Sequence, residues 1–406
     1  MFGRRGIFIG SLALFSVFSL ATGFARTAIA VDVLNGVLGL FCAAAIPAIQ
    51  GIMGSIYEVP CRRKNYAFAC FSAGNPLGFV FGSILSGVAT ELFSWRASFW
   101  MLAIIYAAAV VIAYYIVPTD DEEKLPLTME SLKQFDAVGA VLTIGGIALF
   151  STAISTGPDA ADGWKSPYIL TLLILGAAMM VGFVWWECRF PYPLMPMNLW
   201  RDKEFSLLMA ILLLGFLAFP PMTFFVALYF QKLLRFSSLM TALHMLPMAV
   251  SGITMNVIAG LILHKISNKL LMGIGAAAYT VAFTLVAVQR SGDSYWAFVF
   301  PALTLVVIGA DFEFNMYVLS SLPKSQQSIA GSIFQSVTKL SVTIGLGIGT
   351  AIFRSVSENP AKVGYYGGDP FEPYAATFWF AMAATFVSLL MVPFLKINTQ
   401  GHESTE

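Results

Sequence analysis

One device recurs twelve times along the chain: a run of about twenty apolar residues, nearly free of charge, closed by a short polar or basic segment. The runs lie at about 6–24, 29–56, 65–90, 97–117, 136–156, 166–187, 204–230, 237–262, 269–288, 295–321, 325–354 and 374–396. A bilayer core needs roughly 20 apolar residues per crossing helix, so each run is long enough to cross. Composition agrees. Of the 406 residues 58% are hydrophobic and 11% charged, whereas soluble domains carry about 25% charged residues. The expected fold class is an all-α membrane protein that crosses the bilayer many times.

Several function classes fall away at once. The net charge is +1 and no basic stripe with interleaved aromatics is present, which argues against nucleic acid. Cys42, Cys61, Cys70 and Cys188 show neither a CxxC motif nor paired spacing, so no disulfide framework or metal site is expected. The phosphate-loop pattern G-x-x-x-x-G-K-S/T is absent, removing ATP-driven transport, and no cofactor is expected. The N-terminal run behind Arg4 and Arg5 has signal-peptide character, but eleven further runs favour a first membrane helix. Loop charge sets the orientation. With the N-terminus in the cytosol, inner loops and tails hold 14 Lys/Arg and outer loops 8, so both termini are expected inside.

The chain also repeats itself at a larger scale. Gly3-Arg4-Arg5 opens the first run, and Gly260–Lys269 (GLILHKISNK) joins the eighth to the ninth. Pro60–Ala67 precedes the third run and Pro323–Ala330 the eleventh, with the same Pro-to-Ala spacing. Runs one to four therefore match runs nine to twelve, as in transporters built from duplicated bundles. Runs seven and eight have no N-terminal partner, and runs five and six stand between the halves, after the acidic loop Asp120–Glu123. The expected domains are an incomplete four-helix bundle over 1–117, the loop with two inserted helices over 118–203, and a six-helix bundle over 204–406.

At Pro60–Gly87 (PCRRKNYAFACFSAGNPLGFVFGSILSG) and Ser94–Leu102 (SWRASFWML) the chain resembles the fourteen-helix drug:proton antiporter branch of the major facilitator superfamily, in its fungal aminotriazole-resistance and ammonium-transporter-like group. The resemblance runs over nearly the whole length. It implies fourteen helices, of which the first two have no counterpart here; an incomplete gene model would explain that. The family's cytosolic motif of the form G-x-L-A-D-x-x-G-R-R is matched only by Gly3, Arg4 and Arg5.

Within Pro60–Gly87, Gly74, Gly78, Gly82 and Ser86 recur every four residues, with Asn75 and Pro76 between the first two. In a water-soluble helix each glycine would cost about 1 kcal/mol against alanine. On a membrane helix, small residues at this spacing let a second backbone come close. That reading is plain helix packing. The resemblance adds another: Gly74-Asn75-Pro76-x-Gly78 matches a variant of the antiporter motif, implying an interface that moves during alternating access.

Intramembrane charge is costly, roughly 2.5–3.5 kcal/mol at a helix centre, and marks function by default. Asp311 and Glu313 lie in run ten; Lys339 lies in run eleven, about 21 Å along a helix from Ser325. Gln335, Lys339 and Thr343 share one face by i, i+4 spacing, as do Asp311 and Asn315, with Glu313 about 200° away. Asp311 is the expected proton-coupled carboxylate and Lys339 its counter-charge or a substrate contact. A static ion pair between neighbouring helices is the competing reading, and Glu313 reads equally as an interfacial anchor. Gly345 and Gly349 look like packing positions. His244 reads as a satisfied packing residue, Glu187 beside Trp185 and Trp186 as an interface anchor, and Trp95-Arg96 as structural. Asp32, Asn35 and Gly36 fit a family motif only in part, since its arginine is missing.

The resulting expectation is a secondary transporter that moves a small organic molecule by proton-coupled alternating access, its partners being the substrate, protons and the lipid bilayer, working as a monomer in the plasma or vacuolar membrane. Import of a small cation such as ammonium, a non-transporting receptor, and an inactive truncated chain stay open beside export of an organic toxicant. Epitope tags at Glu123 and at the C-terminus are both expected to be protected in sealed cells, and external labelling of either overturns the orientation.

Overall fold

The computed structural model describes residues 4–56, 74, 77, 78, 81–118, 136–157, 160, 162–191, 193, 195, 197–262, 267–319, 324–360 and 365–395. All regular structure among them is helical. The helices are α1 (Arg4–Gly23), α2 (Ala28–Ile56), α3 (81–92), α4 (Trp95–Ile116), α5 (Ala137–Thr156), α6 (Pro167–Glu187), α7 (Lys203–Lys232), α8 (Ser238–Ile262), α9 (Asn268–Ala287), α10 (Val299–Leu319), α11 (Lys324–Glu358) and α12 (Glu372–Met391). Among the described residues, 10 are long and apolar enough to cross a membrane. The two others are α3, whose expected run of about 65–90 lies mostly outside the described residues, and α10, described as apolar over Val299–Ala310. The expected start of run ten at 295 moves to Val299, because Tyr295 and Trp296 belong to a turn.

Two compact units divide the chain: Met1–Leu132 with Phe236–Ala249, and Lys133–Arg235 with Val250–Glu406. The second thus holds α5 and α6 together with α7 and α9 to α12. The acidic loop Asp120–Glu123 lies outside the described residues.

In the first unit, hydroxyls join the helices. Ser16 Oγ donates to the Ala103 carbonyl at 2.7 Å and Ser19 Oγ to the Phe99 carbonyl at 2.9 Å. The acceptor number falls as the donor number rises, so α1 and α4 run antiparallel. Such interhelical bonds average about 0.6 kcal/mol in membranes, with maxima near 1.7. Ser86 Oγ donates to Ser98 Oγ at 2.9 Å, placing the last member of the small-residue stripe against α4. One residue on, a Cβ at Gly87 would come 3.1 Å from the Leu239 Cα. Arg96 closes the unit by donating to the Ala25 carbonyl at 3.3 Å, its guanidinium lying 4.6 Å from the Trp95 ring centre. The structural reading of Trp95-Arg96 holds.

In the second unit backbones themselves touch. Where α5 crosses α6, a Cβ at Gly176 would sit 2.6 Å from the Phe150 nitrogen and 3.0 Å from the Gly146 oxygen. On α7, Pro220 and Pro221 interrupt the ladder. Pro221 has no N–H to give the Leu217 carbonyl four residues back, and in hydrocarbon no water replaces it. The Leu217 oxygen instead lies against Gly345 of α11, where any Cβ would collide with it; a Cα–H···O contact is what fits there. Four residues further, Gly349 takes the Phe225 ring, 2.9 Å from its would-be Cβ. Both glycines expected to pack do so. Below this crossing Met209, Ile211, Leu212, Leu271, Met272 and Ile333 form the core of the unit, none more than 1% exposed.

Leucine at Gly345 would be driven into a backbone carbonyl that cannot rotate away, and overpacking of that kind costs about 3 kcal/mol or more. Gly345→Leu is therefore expected to lower the thermal midpoint of the detergent-solubilised protein sharply. Gly273→Ala, whose nearest atom is 3.8 Å away, serves as the tolerated control. Equal midpoints for the two variants would show that the α7–α11 contact is not structurally decisive.

Candidate functional site

The expected site residues fall into three places. Asp311, Glu313 and Asn315 lie on α10, and Gln335 lies on α11; their backbones are helical and their side chains are outside the described residues. Lys339 is on α11 and exposed. It is fifteen residues from Lys324 and nineteen from Glu358, hence about 22 and 28 Å from the two helix ends. Ser341, two residues on, is fully buried and about 200° away around the helix. The helix thus turns Ser341 and Gly345 into its own unit, with Gly345 about 120° around the helix from Lys339. Thr343 Oγ1 donates to the Lys339 carbonyl at 3.0 Å. Among the described residues Lys339 makes no ion pair. A cation on a membrane-spanning helix is tolerable where it meets water or a partner in the bundle interior.

Gly74 and Gly78 are exposed, and a Cβ at either, or at Gly82, meets nothing within 4 Å. Close approach is realised one turn later instead, at Ser86 and Gly87. Asn75 and Pro76 lie outside the described residues.

Gly3 also lies outside them, whereas Arg5 is placed clearly. Its Nη2 donates to the Tyr114 carbonyl at 2.6 Å and its guanidinium stands 5.4 Å from the Tyr114 ring centre. Arg4 starts α1 beside it. Arg5 thereby neutralises the carbonyl-rich end of α4, where the helix dipole favours a cation. The second unit repeats the arrangement: Lys269, in the first turn of α9, donates through Nζ to the Pro393 carbonyl at 2.5 Å, just past the end of α12. Sequence reasoning singled out Arg5 and passed over Lys269 as a partner, though its own repeat register pairs Gly3–Arg5 with Gly260–Lys269.

The opposite end of the second unit is tied as well. The Asp369 carboxylate accepts from Ser291 N at 3.1 Å and Phe371 N at 2.8 Å. The Arg290 guanidinium lies 3.8 Å from the Tyr365 ring centre. Tyr365 OH donates to the Val288 carbonyl at 2.9 Å and Tyr366 OH to the Ala287 carbonyl, capping the end of α9. Burial raises the pKa of Tyr366 and pushes that of Tyr295 up to about 12, so both hydroxyls remain protonated donors at neutral pH.

Two carboxylates missed by sequence reasoning or misplaced by it are buried. Asp136 caps α5, its Oδ1 accepting from Gly139 N at 2.7 Å and Trp186 Nε1 at 2.8 Å. Glu187 is 3% exposed and accepts from Met195 N at 3.0 Å. It fastens the chain after α6 and is no interface anchor; Trp185, 58% exposed with Arg189 over its ring at 4.0 Å, has that position. His244 is half-buried, its Nδ1 donating to the Met240 carbonyl at 2.9 Å and its ring lying 4.7 Å from the Phe236 ring centre, as in a packing histidine.

The helical spans describe a multi-pass membrane protein, and comparison with known proteins gives it a family. Residues 1–321 match the Major Facilitator Superfamily. The chain belongs to the major facilitator superfamily. It is 28% identical over 377 residues to the efflux pump terJ of Aspergillus terreus, covering 90% of this chain and 71% of that protein. It is 27% identical over 368 residues to the low affinity ammonium transporter of Saccharomyces cerevisiae, covering 89% and 71%. The aminotriazole resistance protein of the same yeast is 24% identical over 337 residues, covering 81% and 61%. Among solved structures, a POT family transporter in complex with 5-aminolevulinic acid superposes with a TM-score of 0.65 at 14% identity, covering 98% of this chain and 83% of that one. That likeness concerns the fold. The protein is a multi-pass membrane transporter of that superfamily.

The paired cation contacts carry a prediction. Lys269→Ala should remove about 1 kcal/mol of stability, Lys269→Arg should restore it, and the loss should add to that of Arg5→Ala because the two share no partner. Thermal midpoints of the four variants in detergent check this; an arginine variant as unstable as the alanine one would refute the charge-to-carbonyl account.

Proposed function

We propose that this transporter exports a small organic compound by alternating access, driven by the proton gradient across the plasma membrane. The observation that carries the reading is Lys339: a cation exposed near the middle of a membrane-spanning helix needs an aqueous cavity on that side, and such a cavity is what a solute crosses. Support for export comes from relatives named as efflux pumps.

In this reading Asp311 on α10 binds and releases the transported proton, since desolvation raises a carboxylate's pKa and a nearby cation lowers it. Lys339 is the cation whose influence on Asp311 changes as the cavity opens and closes. Gln335 and Asn315 would add hydrogen bonds to the substrate, and Glu313 would sit toward the cytosolic end. The open surface at Gly74, Gly78 and Gly82 is what a helix would approach in another stage of the cycle. The bundle over 1–117, the two inserted helices within 118–203 and the bundle over 204–406 are the proposed working parts. A second reading, uptake of ammonium, is favoured by the yeast relative's name alone; Lys339 would then repel the cargo unless it lost its proton.

Flux into vesicles under an imposed pH step tests the scheme. Asp311→Asn keeps the shape but cannot titrate, so substrate should still bind while gradient-driven flux falls to the level of the collapsed-gradient control. Lys339→Ala should shift the pH dependence of flux. Parental pH-driven flux in Asp311→Asn would remove Asp311 from the mechanism.

A further inference from the structure

In the second unit α5 and α11 touch at one level and part above it. The contact is Gly347 of α11 against the Ile154 side chain of α5, closer than any Cβ would allow. Beyond it α5 ends, and the turn Gly163–Lys165 carries Trp164 back over the gap, its ring 2.8 Å from the would-be Cβ of Gly157. Between lies a crevice of about 510 Å³ lined by Ile154, Trp164, Ile348, Ala351, Ile352 and Ser355. The α11 residues recur at i, i+3, i+4 and i+7, one continuous stripe. From Ile348 to Ser355 the stripe rises about 10 Å, which is two-thirds of a leaflet of about 15 Å. Apart from the Ser355 hydroxyl and the indole nitrogen, the lining side chains are all carbon.

Both walls belong to membrane-spanning helices, so the molecules that reach this crevice come from the bilayer. Its rim says which kind. Trp164 and Ser355 are exposed, and Lys165 follows Trp164 directly, also exposed and without an ion pair among the described residues. A tryptophan with a lysine at the end of a span is the arrangement that meets lipid headgroups. An apolar slot about two-thirds of a leaflet deep, beside a lysine with no ion pair among the described residues, matches an acyl chain below a phosphate.

We propose that this crevice binds one glycerophospholipid, with an acyl chain between α5 and α11 and the phosphate at Lys165 Nζ. The lipid completes the contact that Gly347 and Ile154 begin, holding the α5–α6 pair to α11 where the protein's own side chains do not meet.

Native mass spectrometry of the full chain in detergent tests this by titration with dioleoylphosphatidylglycerol and with dioleoylglycerol, which shares the chains and lacks the phosphate. One tight site per chain is expected, with the phosphate-bearing lipid favoured about fivefold, the effect of one lysine near a phosphate layer. Lys165→Gln, a surface change, should abolish that preference and keep chain binding. Ala351→Trp should fill the slot and remove the site; where it fails to fold, tryptophan at Val356, which also lines the crevice, replaces it (Val356→Trp). Unchanged lipid retention in the filled variant, no saturable site in the parent, an undiminished phosphate preference in Lys165→Gln, or displacement of the lipid by a sterol or by a second copy of the chain would each overturn the assignment.

Discussion

A bilayer offers no water to a backbone carbonyl that has lost its partner, and the second unit is organised around one such carbonyl. Pro221 deprives Leu217 of its helical donor. The freed oxygen turns to α11, and only a glycine at position 345 admits it. Once α11 lies that close to α7, Gly349 must follow to take the Phe225 ring and Gly347 to take Ile154 of α5. Three glycines on one helix thus receive neighbours from two others, and the rest of α11 is fixed by them. Its polar side is left outward, and Lys339 is on it.

The two units use different chemistry for the same purpose. In the first, Ser16 and Ser19 of α1 reach carbonyls of α4, so the backbones stay apart by the length of a hydroxyl side chain. In the second, Gly146 and Gly176, or Leu217 and Gly345, bring backbones together directly. Burial does not follow this division: the spans of α5 and α6, joined through Gly146 and Gly176, are 22% and 17% buried, like α1 at 22%, whereas α7 and α9 reach 50% and 56%. What the units share is the cation at the start of their first repeated helix, Arg5 or Lys269, bonded to a carbonyl at the end of the last.

Period and hydropathy made the spans legible, because each apolar run has to be a helix when no water is present. The expected repeat of Pro60–Ala67 in Pro323–Ala330 lies largely outside the described residues, while its register also pairs Arg5 with Lys269, each of which donates to a carbonyl. Gly345 and Gly349 were readable as small residues at a four-residue spacing. The same spacing at Gly74, Gly78 and Gly82 reads identically in sequence yet meets open space here, since spacing shows that approach is possible and not which helix makes it. Asp136 escaped notice because an acid before a helix is ordinary capping; its second bond, to Trp186 fifty residues on, follows only from the fold of the α5–α6 pair. Glu187 was misplaced for the same reason, its neighbours Trp185 and Trp186 being interfacial while the loop to Met195 folds back over it.

Which helices of the second unit can move relative to one another follows from where they are tied. Helices α9 and α12 are joined at both ends: by Lys269 on the Pro393 carbonyl at one, and by Asp369, Tyr365 and Tyr366 on residues 287–291 at the other. Gly309 of α10 takes the Tyr279 ring of α9 at 2.5 Å from its would-be Cβ, adding α10 to the same body near its middle. Tilting α9 against α12 would strip a charged or hydroxyl donor from a helix-end carbonyl. Helices α7 and α11 carry no such end-to-end ties among the described residues. Their contact is a carbonyl on a glycine and a ring on a glycine, and α7 is already interrupted by Pro220 and Pro221. The α9–α12 pair is therefore the most firmly tied in the unit, whereas α10 and α11, which carry Asp311 and Lys339, meet α9 and α7 through glycine contacts that hold no charged donor.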